Sequence, residues 1–387
     1  MPKTDASDPT KAILGSTGLN NKSLCDYVIN VATGCSHGCK FCYVPATPNI
    51  RTRGQMLEDV MDVSNPQEQW GEYVAYRDDL PPRLDSKLER KRSWNVTDRG
   101  QGVVGMSYST DCFMDRRAGA ISAGVIKVLA DHEKYVRVQT RNPVLAANGR
   151  PPNTIQVDGE EREYPDEVPL DRDEPGVRDR KNTFHPSDQP FIEAFESAGE
   201  YVTIGASINS LDDREVLAIE PNTPPSSRIR GLEKFVQAGI NVFVSMSPTY
   251  PTMGEDELRD LMGVLSDLDP DVVFHEPINP RGMNFQMTVD AAATAGLDDL
   301  SNELDRIRDR DEWTEYSIKH LVWVQQIAED LDLDVHLWPD KGLLPNVEEE
   351  TKKWLQAWID RGSPESFAKR PDPGPMPEIP DQARSML

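Results

Sequence analysis

The 387-residue sequence lacks the features of membrane-spanning and secreted proteins. It contains no apolar run of about eighteen residues, the length that a helix needs to cross a bilayer. Its N-terminus is polar and has no apolar segment typical of a signal peptide. We therefore expect no membrane partner and a cytoplasmic location. Hydrophobic residues still make up 37% of the chain, enough for the core of one large domain or two ordinary domains.

Basic residues are scarce relative to acidic residues. The chain has 42 Lys and Arg against 66 Asp and Glu, which gives a formal net charge of −24. Tight nonspecific binding to nucleic acid requires neutralisation of phosphates, so this balance argues against it while leaving room for a local basic groove. The acidic residues are spread along the chain, and we interpret them as a solvated surface.

Cysteine and histidine are also rare, with five and six residues. Three cysteines, Cys35, Cys39 and Cys42, are spaced i, i+4 and i+7, which is not a secreted disulfide framework and fits a reducing cytoplasm. Clustered thiolates favour zinc, copper(I) or an iron–sulfur cluster. Structural zinc usually takes four protein ligands, often from two Cys-x-x-Cys knuckles, and no second knuckle is present. A [4Fe–4S] cluster usually takes four thiolates, so three would leave one iron open.

The pattern Cys-x-x-x-Cys-x-aromatic-Cys resembles the signature of the radical-SAM superfamily. It is formed by Cys35, Cys39, Phe41 and Cys42, and it follows a strand-like run at 27–31. The resemblance implies a [4Fe–4S] cluster whose open iron is chelated by S-adenosyl-L-methionine. In that superfamily an electron from the cluster cleaves the cofactor to methionine and a 5′-deoxyadenosyl radical. The alternatives are a degenerate zinc loop or three unrelated thiols.

Strand and helix patterns alternate from the cysteine loop to Trp338. This alternation predicts parallel βαβ units. About seven strand candidates predict an α/β fold of the TIM-like barrel type, complete or partial, with its site at the C-terminal strand ends. The radical-SAM resemblance implies a partial (β/α)6 barrel. The predicted organisation is a mobile lead-in at 1–25, the barrel domain at 26–340 with a surface insertion at 149–186, a C-terminal helix at 341–362, and a Pro-rich, disordered tail at 363–387.

Segments that follow the later strands resemble the spore photoproduct lyase-like, or DNA repair photolyase-like, branch of the superfamily. They are Ser109-Thr110-Asp111, Val136 to Arg141, Ser207-Ile208-Asn209, and Glu220-Pro221-Asn222-Thr223 with Arg228. The match covers roughly 26–280, most of the predicted barrel. It implies that the backbone around Phe41 and Tyr43 lies against the adenine of the cofactor.

Five polar residues in these segments are predicted to hold the cofactor. Thr110 has a hydroxyl suited to an amino or carboxylate group. Asp111 could accept from the ammonium group, or cap the next helix. Arg141 could form a fork with the methionine carboxylate, or be a surface cation at a strand end. Ser207 and Asn209 could hold the ribose, or only form a turn.

Three residues are candidate catalytic groups. The true lyase has a cysteine two residues before the Ser/Thr of its motif, as a hydrogen-atom donor, and Tyr108 occupies that position here. Cys112 lies two residues after Thr110 instead. Either Tyr108 or Cys112 could relay a hydrogen atom, or both could be core residues. Glu276 ends the sixth strand candidate and could contact cofactor or substrate, or bond a buried backbone group.

The predicted function is that of a radical-SAM enzyme that abstracts hydrogen from an unidentified substrate. A nucleic-acid base is the substrate class that the lyase-like resemblance suggests. Such an enzyme requires an external one-electron donor of the flavodoxin or ferredoxin type. The alternative is a non-catalytic iron–sulfur protein for electron transfer or sensing.

Overall fold

The computed structural model describes residues 6–97, 100–106, 108–157, 160–164 and 189–387. The strands in these residues are Ala6–Ser7 (β1), Gly15–Ser16 (β2), Tyr27–Ile29 (β3), Ala32–Gly34 (β4), Val74–Tyr76 (β5), Val96–Thr97 (β6), Gly100–Gln101 (β7), Val104–Met106 (β8), Val136–Thr140 (β9), Thr154–Val157 (β10), Glu160–Glu163 (β11), Val202–Ser207 (β12), Val242–Thr249 (β13), Val273–Pro277 (β14) and Val335–Leu337 (β15).

The helices alternate with the strands over most of the chain. The α-helices are Pro48–Arg51 (α1), Gly54–Met61 (α2), Leu80–Arg90 (α3), Arg116–Asp131 (α4), Pro143–Asn148 (α5), Ile192–Ala198 (α6), Asp213–Ile219 (α7), Pro225–Gln237 (α8), Glu255–Ser266 (α9), Gly282–Thr294 (α10), Asp298–Arg306 (α11), Arg310–Leu331 (α12), Glu349–Asp360 (α13) and Asp381–Arg384 (α14). No helix in the described ranges combines the length and the apolar character needed to cross a membrane.

The main sheet contains seven parallel strands in chain order, namely β3, β8, β9, β12, β13, β14 and β15, with β2 antiparallel on β3. Helices lie between successive strands from β8 onwards, which confirms the predicted α/β class and the βαβ units. Strands paired in sequence order are what a partial barrel requires. Closure into a (β/α)6 barrel stays a prediction.

Strand β9 shows how this sheet separates its two faces. Val136 and Val138 are fully buried in the main hydrophobic core beneath the helices. Arg137 and Gln139 lie on the other face, because side chains alternate along a strand. Arg137 is fully buried there against aromatic rings, and Gln139 lines the cavities described below. The inner face of the sheet therefore carries polar side chains at the end where parallel-barrel sites lie.

The lead-in, predicted to be mobile, is packed against the rest of the chain from residue 6 onwards. Strand β1 pairs with β5 in a small separate sheet that also contains β4. The segment predicted as the first strand therefore forms two strands, β3 in the main sheet and β4 in the small sheet. Asp8 is buried and accepts hydrogen bonds from the Thr33 hydroxyl at 2.5 Å and the Thr10 amide at 2.8 Å. These bonds satisfy polar groups that would otherwise favour water.

The predicted surface insertion begins as a hairpin. Strands β10 and β11 pair antiparallel, and residues 158–159 and 165–186 of the insertion lie outside the described residues. The predicted C-terminal helix at 341–362 corresponds to a short 3-10 helix, Lys341–Asn346, followed by α13.

The tail at 363–387, predicted to be disordered, contacts the core. Phe367, Ile379 and Ala383 are almost completely buried. Its Glu365 is fully buried and forms an ion pair with Arg137 of β9. The high proline content correctly indicates little regular structure, but burial of apolar side chains and neutralisation of a buried arginine offset the entropic cost of ordering the segment.

We expect Glu365→Ala to destabilise the protein, because it leaves the buried guanidinium of Arg137 without its counter-charge. Removing one partner of a buried ion pair costs about 3–5 kcal/mol, which urea unfolding followed by circular dichroism would measure. Asp305→Ala is the control, since it removes the exposed partner of Arg308 and should change the free energy of unfolding very little. Equal stability of the two variants would show that the ion pair between Glu365 and Arg137 does not stabilise the protein.

Candidate functional site

The three clustered cysteines lie in the loop between β4 and a short 3-10 helix at Val44–Ala46. Cys35 and Cys39 are buried and Cys42 is partly exposed. Gly34, which begins the loop, has φ +91°, and a Cβ there would lie 2.2 Å from the carbonyl oxygen of Tyr73. A side chain at this position would therefore push the loop away from the segment that covers it.

The segment before β5 covers the cysteine loop closely. Gly38 and Gly71 both have positive φ, and a Cβ on Gly71 would lie 2.8 Å from the Gly38 Cα. Trp70, next to this contact, lies beside Cys42 and acts to lower the pKa of its thiol. Two backbones that approach this closely leave no room for a side chain or water between them.

Burial raises the pKa of all three thiols, because the thiolate form loses its hydration. The pKa of Cys39 rises to about 12 and that of Cys42 to about 11, while the pKa of Cys35 rises well above its usual range. The positive charge of Arg141 acts in the opposite direction on Cys39 and Cys42. A cation bound among these sulfurs would stabilise the thiolates further.

A cavity lies between the cysteine loop and the C-terminal ends of β8, β9 and β12. Besides the three cysteines, Gly38 and Val44, its lining consists of aromatic and polar side chains, namely His37, Phe41, Tyr43, Trp70, Tyr108, Ser109, Thr110, Asp111, Gln139, Thr140, Arg141 and Ser207. The predicted residues of the cysteine loop and of three strand ends thus meet around one space. Asn209, Cys112 and Glu276 are the predicted site residues that do not line it.

Thr110 and Asp111 connect the ends of neighbouring strands through hydrogen bonds. The Thr110 hydroxyl donates to the carbonyl oxygen of Gly34 at 2.5 Å. The Asp111 carboxylate accepts from the Thr140 hydroxyl at 2.7 Å and from the Arg141 amide at 2.6 Å. The alternative in which Asp111 caps the next helix is wrong, because Asp115 accepts from the first turn of α4.

Arg141 is held at the cavity by a buried carboxylate. Its guanidinium donates to Glu220 at 2.5 Å and lies 4.9 Å from the ring centroid of Phe41. The charge of Glu220 raises the pKa of Arg141 against the effect of burial. The Arg141 side chain is only 18% exposed, so it is not a surface cation.

Ser207 and Asn209 have different environments although they are close in sequence. Ser207 is buried at the end of β12, and its hydroxyl accepts from the Gln139 amide at 3.1 Å. Asn209 is fully buried outside the cavity and donates to the carbonyl oxygen of Pro248 at 2.9 Å. The structure therefore keeps Ser207 as a candidate ligand contact and gives Asn209 a packing role.

The two predicted hydrogen-atom donors, Cys112 and Tyr108, also differ in their position relative to the cavity. Cys112 is fully buried, and its sulfur lies 3.7 Å from the carbonyl oxygen of Gln139, away from the cavity. Tyr108 lines the cavity, and its hydroxyl is buried without a hydrogen-bond partner among the described residues. Cys25 packs behind Tyr108, since both would contact a Cβ on Gly105. Only Tyr108 remains a candidate donor on geometric grounds.

Glu276 lies in a neighbouring cavity. Its carboxylate pairs with Lys22 at 2.9 Å, and Lys22 lies 5.0 Å from the centroid of the Trp338 ring. All three residues line this second cavity, which shares Gln139 with the first. The alternative in which Glu276 bonds a buried backbone group finds no support, because its carboxylate pairs with the Lys22 side chain.

Sequence reasoning did not single out His37, Trp70 or Gln139. Burial lowers the pKa of His37, so its imidazole is neutral, and its Nδ1 lies 3.5 Å from the Asp111 carboxylate. The position of His37 between two clustered cysteines was a usable signal. Gln139 could have been found from its position at the C-terminal end of β9, where parallel-barrel sites lie. Trp70 is distant in sequence and gives no such signal.

The donor set fits an iron–sulfur cluster better than a single ion. Among the described residues, no three His, Cys, Asp or Glu side chains converge on one ion position. A cluster does not require convergence, because each thiolate binds a different iron. Three sulfurs that line one cavity, one of them with a side-chain hydrogen bond from Asn222, are suitable ligands for it.

Comparisons with known proteins agree with this fold. No family model matches the chain. An uncharacterized protein of Acidianus two-tailed virus is 28% identical over 286 residues, which cover 72% of this chain and 76% of that protein. A variant spore photoproduct lyase with a dinucleoside spore photoproduct has 13% identity and a TM-score of 0.51, over 86% of this chain and 80% of the lyase. A second lyase variant, with bound AdoMet and the same ligand, has 14% identity and a TM-score of 0.49, over 86% and 88% of the two chains.

The likeness to the first lyase structure shows that this chain has the fold of spore photoproduct lyase. The sequence resemblance in the cysteine loop and the strand ends pointed to the same fold. A fold is compatible with many activities, so the function has to be argued from the site.

We expect Thr110→Val to destabilise the protein, because valine has a similar shape but cannot donate to Gly34. Loss of a buried hydrogen bond costs about 1–3 kcal/mol, and thermal or urea unfolding would detect it. Thr294→Val provides the control, since the Thr294 hydroxyl bonds Asp290 on an exposed helix face. If the two variants are equally stable, Thr110 does not fasten the cysteine loop.

Proposed function

We propose that this protein is a radical-SAM enzyme of the spore photoproduct lyase-like kind. Cys35, Cys39 and Cys42 would hold a [4Fe–4S] cluster, and S-adenosyl-L-methionine would occupy the cavity beside them. Together these groups supply a 5′-deoxyadenosyl radical that abstracts a hydrogen atom from the substrate. The observation that carries the proposal is the single cavity that joins all three cysteines to the ends of β8, β9 and β12.

The residues around the cavity suit different parts of the cofactor. Arg141 presents a fixed positive charge to a carboxylate, because Glu220 and the Phe41 ring restrict its position. Ser207 offers a hydroxyl for the ribose. Phe41 and Tyr43 flank the space in which the adenine would lie. Since the Thr110 hydroxyl already bonds Gly34, we assign Thr110 a positioning role.

The second cavity is our proposed place for the substrate. Gln139 separates it from the cysteine cavity and lines both, so a substrate there would lie next to the cofactor. Glu276 lines the second cavity and would contact the substrate. Tyr108 lines the first, and its buried O–H, which has no hydrogen-bond partner among the described residues, could return a hydrogen atom to a substrate radical. A nucleic-acid base, an external flavodoxin- or ferredoxin-type electron donor and a cytoplasmic location remain predictions from the sequence.

The test is anaerobic reconstitution with iron and sulfide, followed by incubation with S-adenosyl-L-methionine and dithionite. We expect bound iron and release of 5′-deoxyadenosine. Cys39→Ala should lose both. Cys25→Ala should keep both, because its sulfur is fully buried outside the cavity.

Each alternative gives a different result in this assay. Bound iron with no 5′-deoxyadenosine under any reducing condition would support a non-catalytic iron–sulfur protein. Zinc in place of iron by metal analysis would support the zinc loop. Loss of iron in Cys25→Ala, with Cys39→Ala still loaded, would contradict the assignment of ligands.

We expect Arg141→Ala to weaken binding of S-adenosyl-L-methionine about ten- to a hundredfold, because a charge-assisted hydrogen bond is worth about 1.5–3 kcal/mol. The variant should still fold, since Glu220 keeps its second partner, Arg228, at 2.8 Å. Isothermal titration would measure the affinity, with the exposed Arg230→Ala as the control. An unchanged affinity would show that Arg141 does not contact the cofactor.

A further inference from the structure

Asn222 directs a side-chain amide at one of the clustered cysteines. Its Nδ2 lies 3.6 Å from the sulfur of Cys39. Its Oδ1 accepts from the Thr223 amide at 2.5 Å and from the Arg228 guanidinium at 3.3 Å. Two donors therefore face one end of the side chain, which must be the carbonyl oxygen. This fixes the NH2 group at the other end, toward the sulfur.

Arg228, which orients Asn222, cannot move easily. It is fully buried and donates to the carbonyl oxygens of Ser207 at 2.8 Å and Thr223 at 2.7 Å. Its guanidinium also lies 2.8 Å from the carboxylate of Glu220. These contacts join strand β12, the turn after α7 and the Asn222 amide into one rigid unit.

The cysteine loop is attached to the same unit. The amide of Lys40, next to Cys39, donates to the carbonyl oxygen of Ile219 at 3.0 Å. This backbone bond holds the sulfur of Cys39 and the amide of Asn222 at a constant separation. The donor is therefore already in place before any ligand binds to the sulfur.

We propose that Asn222 is a positioning residue that sets the reduction potential of the cluster through its N–H···S bond to Cys39. The inference rests on the proposed function, since it requires the cluster on these cysteines. Reduction adds one electron from the external donor, breaks no bond and places part of the new negative charge on the ligand sulfurs. A fixed N–H donor stabilises the reduced state more than the oxidised state and so raises the potential.

The test compares midpoint potentials of reconstituted Asn222→Ala and Asn222→Asp with the parent protein, in redox titrations followed by electron paramagnetic resonance. We expect both variants to be harder to reduce. The equilibrium constant for reduction should fall about tenfold, which lowers the midpoint potential by about 59 mV for a one-electron couple. The aspartate variant keeps acceptors for Thr223 and Arg228 but presents a carboxylate oxygen to the sulfur. Its shift should therefore be at least as large. Asn148→Ala, an exposed asparagine whose amide bonds a helix carbonyl, should leave the potential unchanged.

The outcomes separate this inference from the proposed function. Normal iron content with a parental potential in both Asn222 variants overturns the inference and leaves the proposed function intact. If only the alanine variant loses iron, the midpoint potential of the aspartate variant alone tests whether Asn222 tunes the cluster. Loss of iron from both would show that Asn222 holds the loop instead of tuning the cluster, which overturns the inference. A parent protein that binds no iron rejects the proposed function and the inference together.

Discussion

The fully buried carboxylate of Glu220 holds together the parts of the site. A buried charge is tolerated only when it is neutralised, and two arginines, Arg141 and Arg228, neutralise this one. Each arginine then serves a second purpose. Arg141 is fixed at the cavity above Phe41, and Arg228 orients Asn222 toward a cysteine sulfur. The positions of a proposed cofactor contact and of a proposed cluster contact thus depend on one negative charge.

The sequence predicted those parts of the fold that repeat or have fixed spacing. Parallel strands buried on both sides appear as short apolar runs, so the strands of the main sheet could be located from Tyr27 to Leu337. The cysteine spacing identified the loop, and the polar residues after β8, β9 and β12 identified most of the cavity lining. Thr110, Arg141 and Ser207 follow strands that are neighbours in the sheet, and the C-terminal ends of such strands meet at one edge.

Spacing could not show contacts that depend on the orientation of a side chain or on the distance between strands. Cys112 is two residues from Thr110, but the loop between β8 and α4 has no regular period, so spacing could not show that its sulfur turns toward the Gln139 carbonyl. Glu276 is at a strand end as predicted, but its strand lies farther along the sheet than β9 and β12, beside the second cavity. Contacts such as Asn222 with Cys39 join residues 183 positions apart and leave no local pattern.

The ion pair between Arg137 and Glu365 has a consequence for the order in which the molecule forms. Its two residues are separated by 228 positions, and the guanidinium lies at the middle of the main sheet. During synthesis, β9 leaves the ribosome long before its counter-charge exists. The strands of the sheet must therefore pair while Arg137 still lacks its counter-charge, or their pairing is delayed. Contacts between such distant positions slow folding, so this ion pair is expected to form late, after the tail has been synthesised.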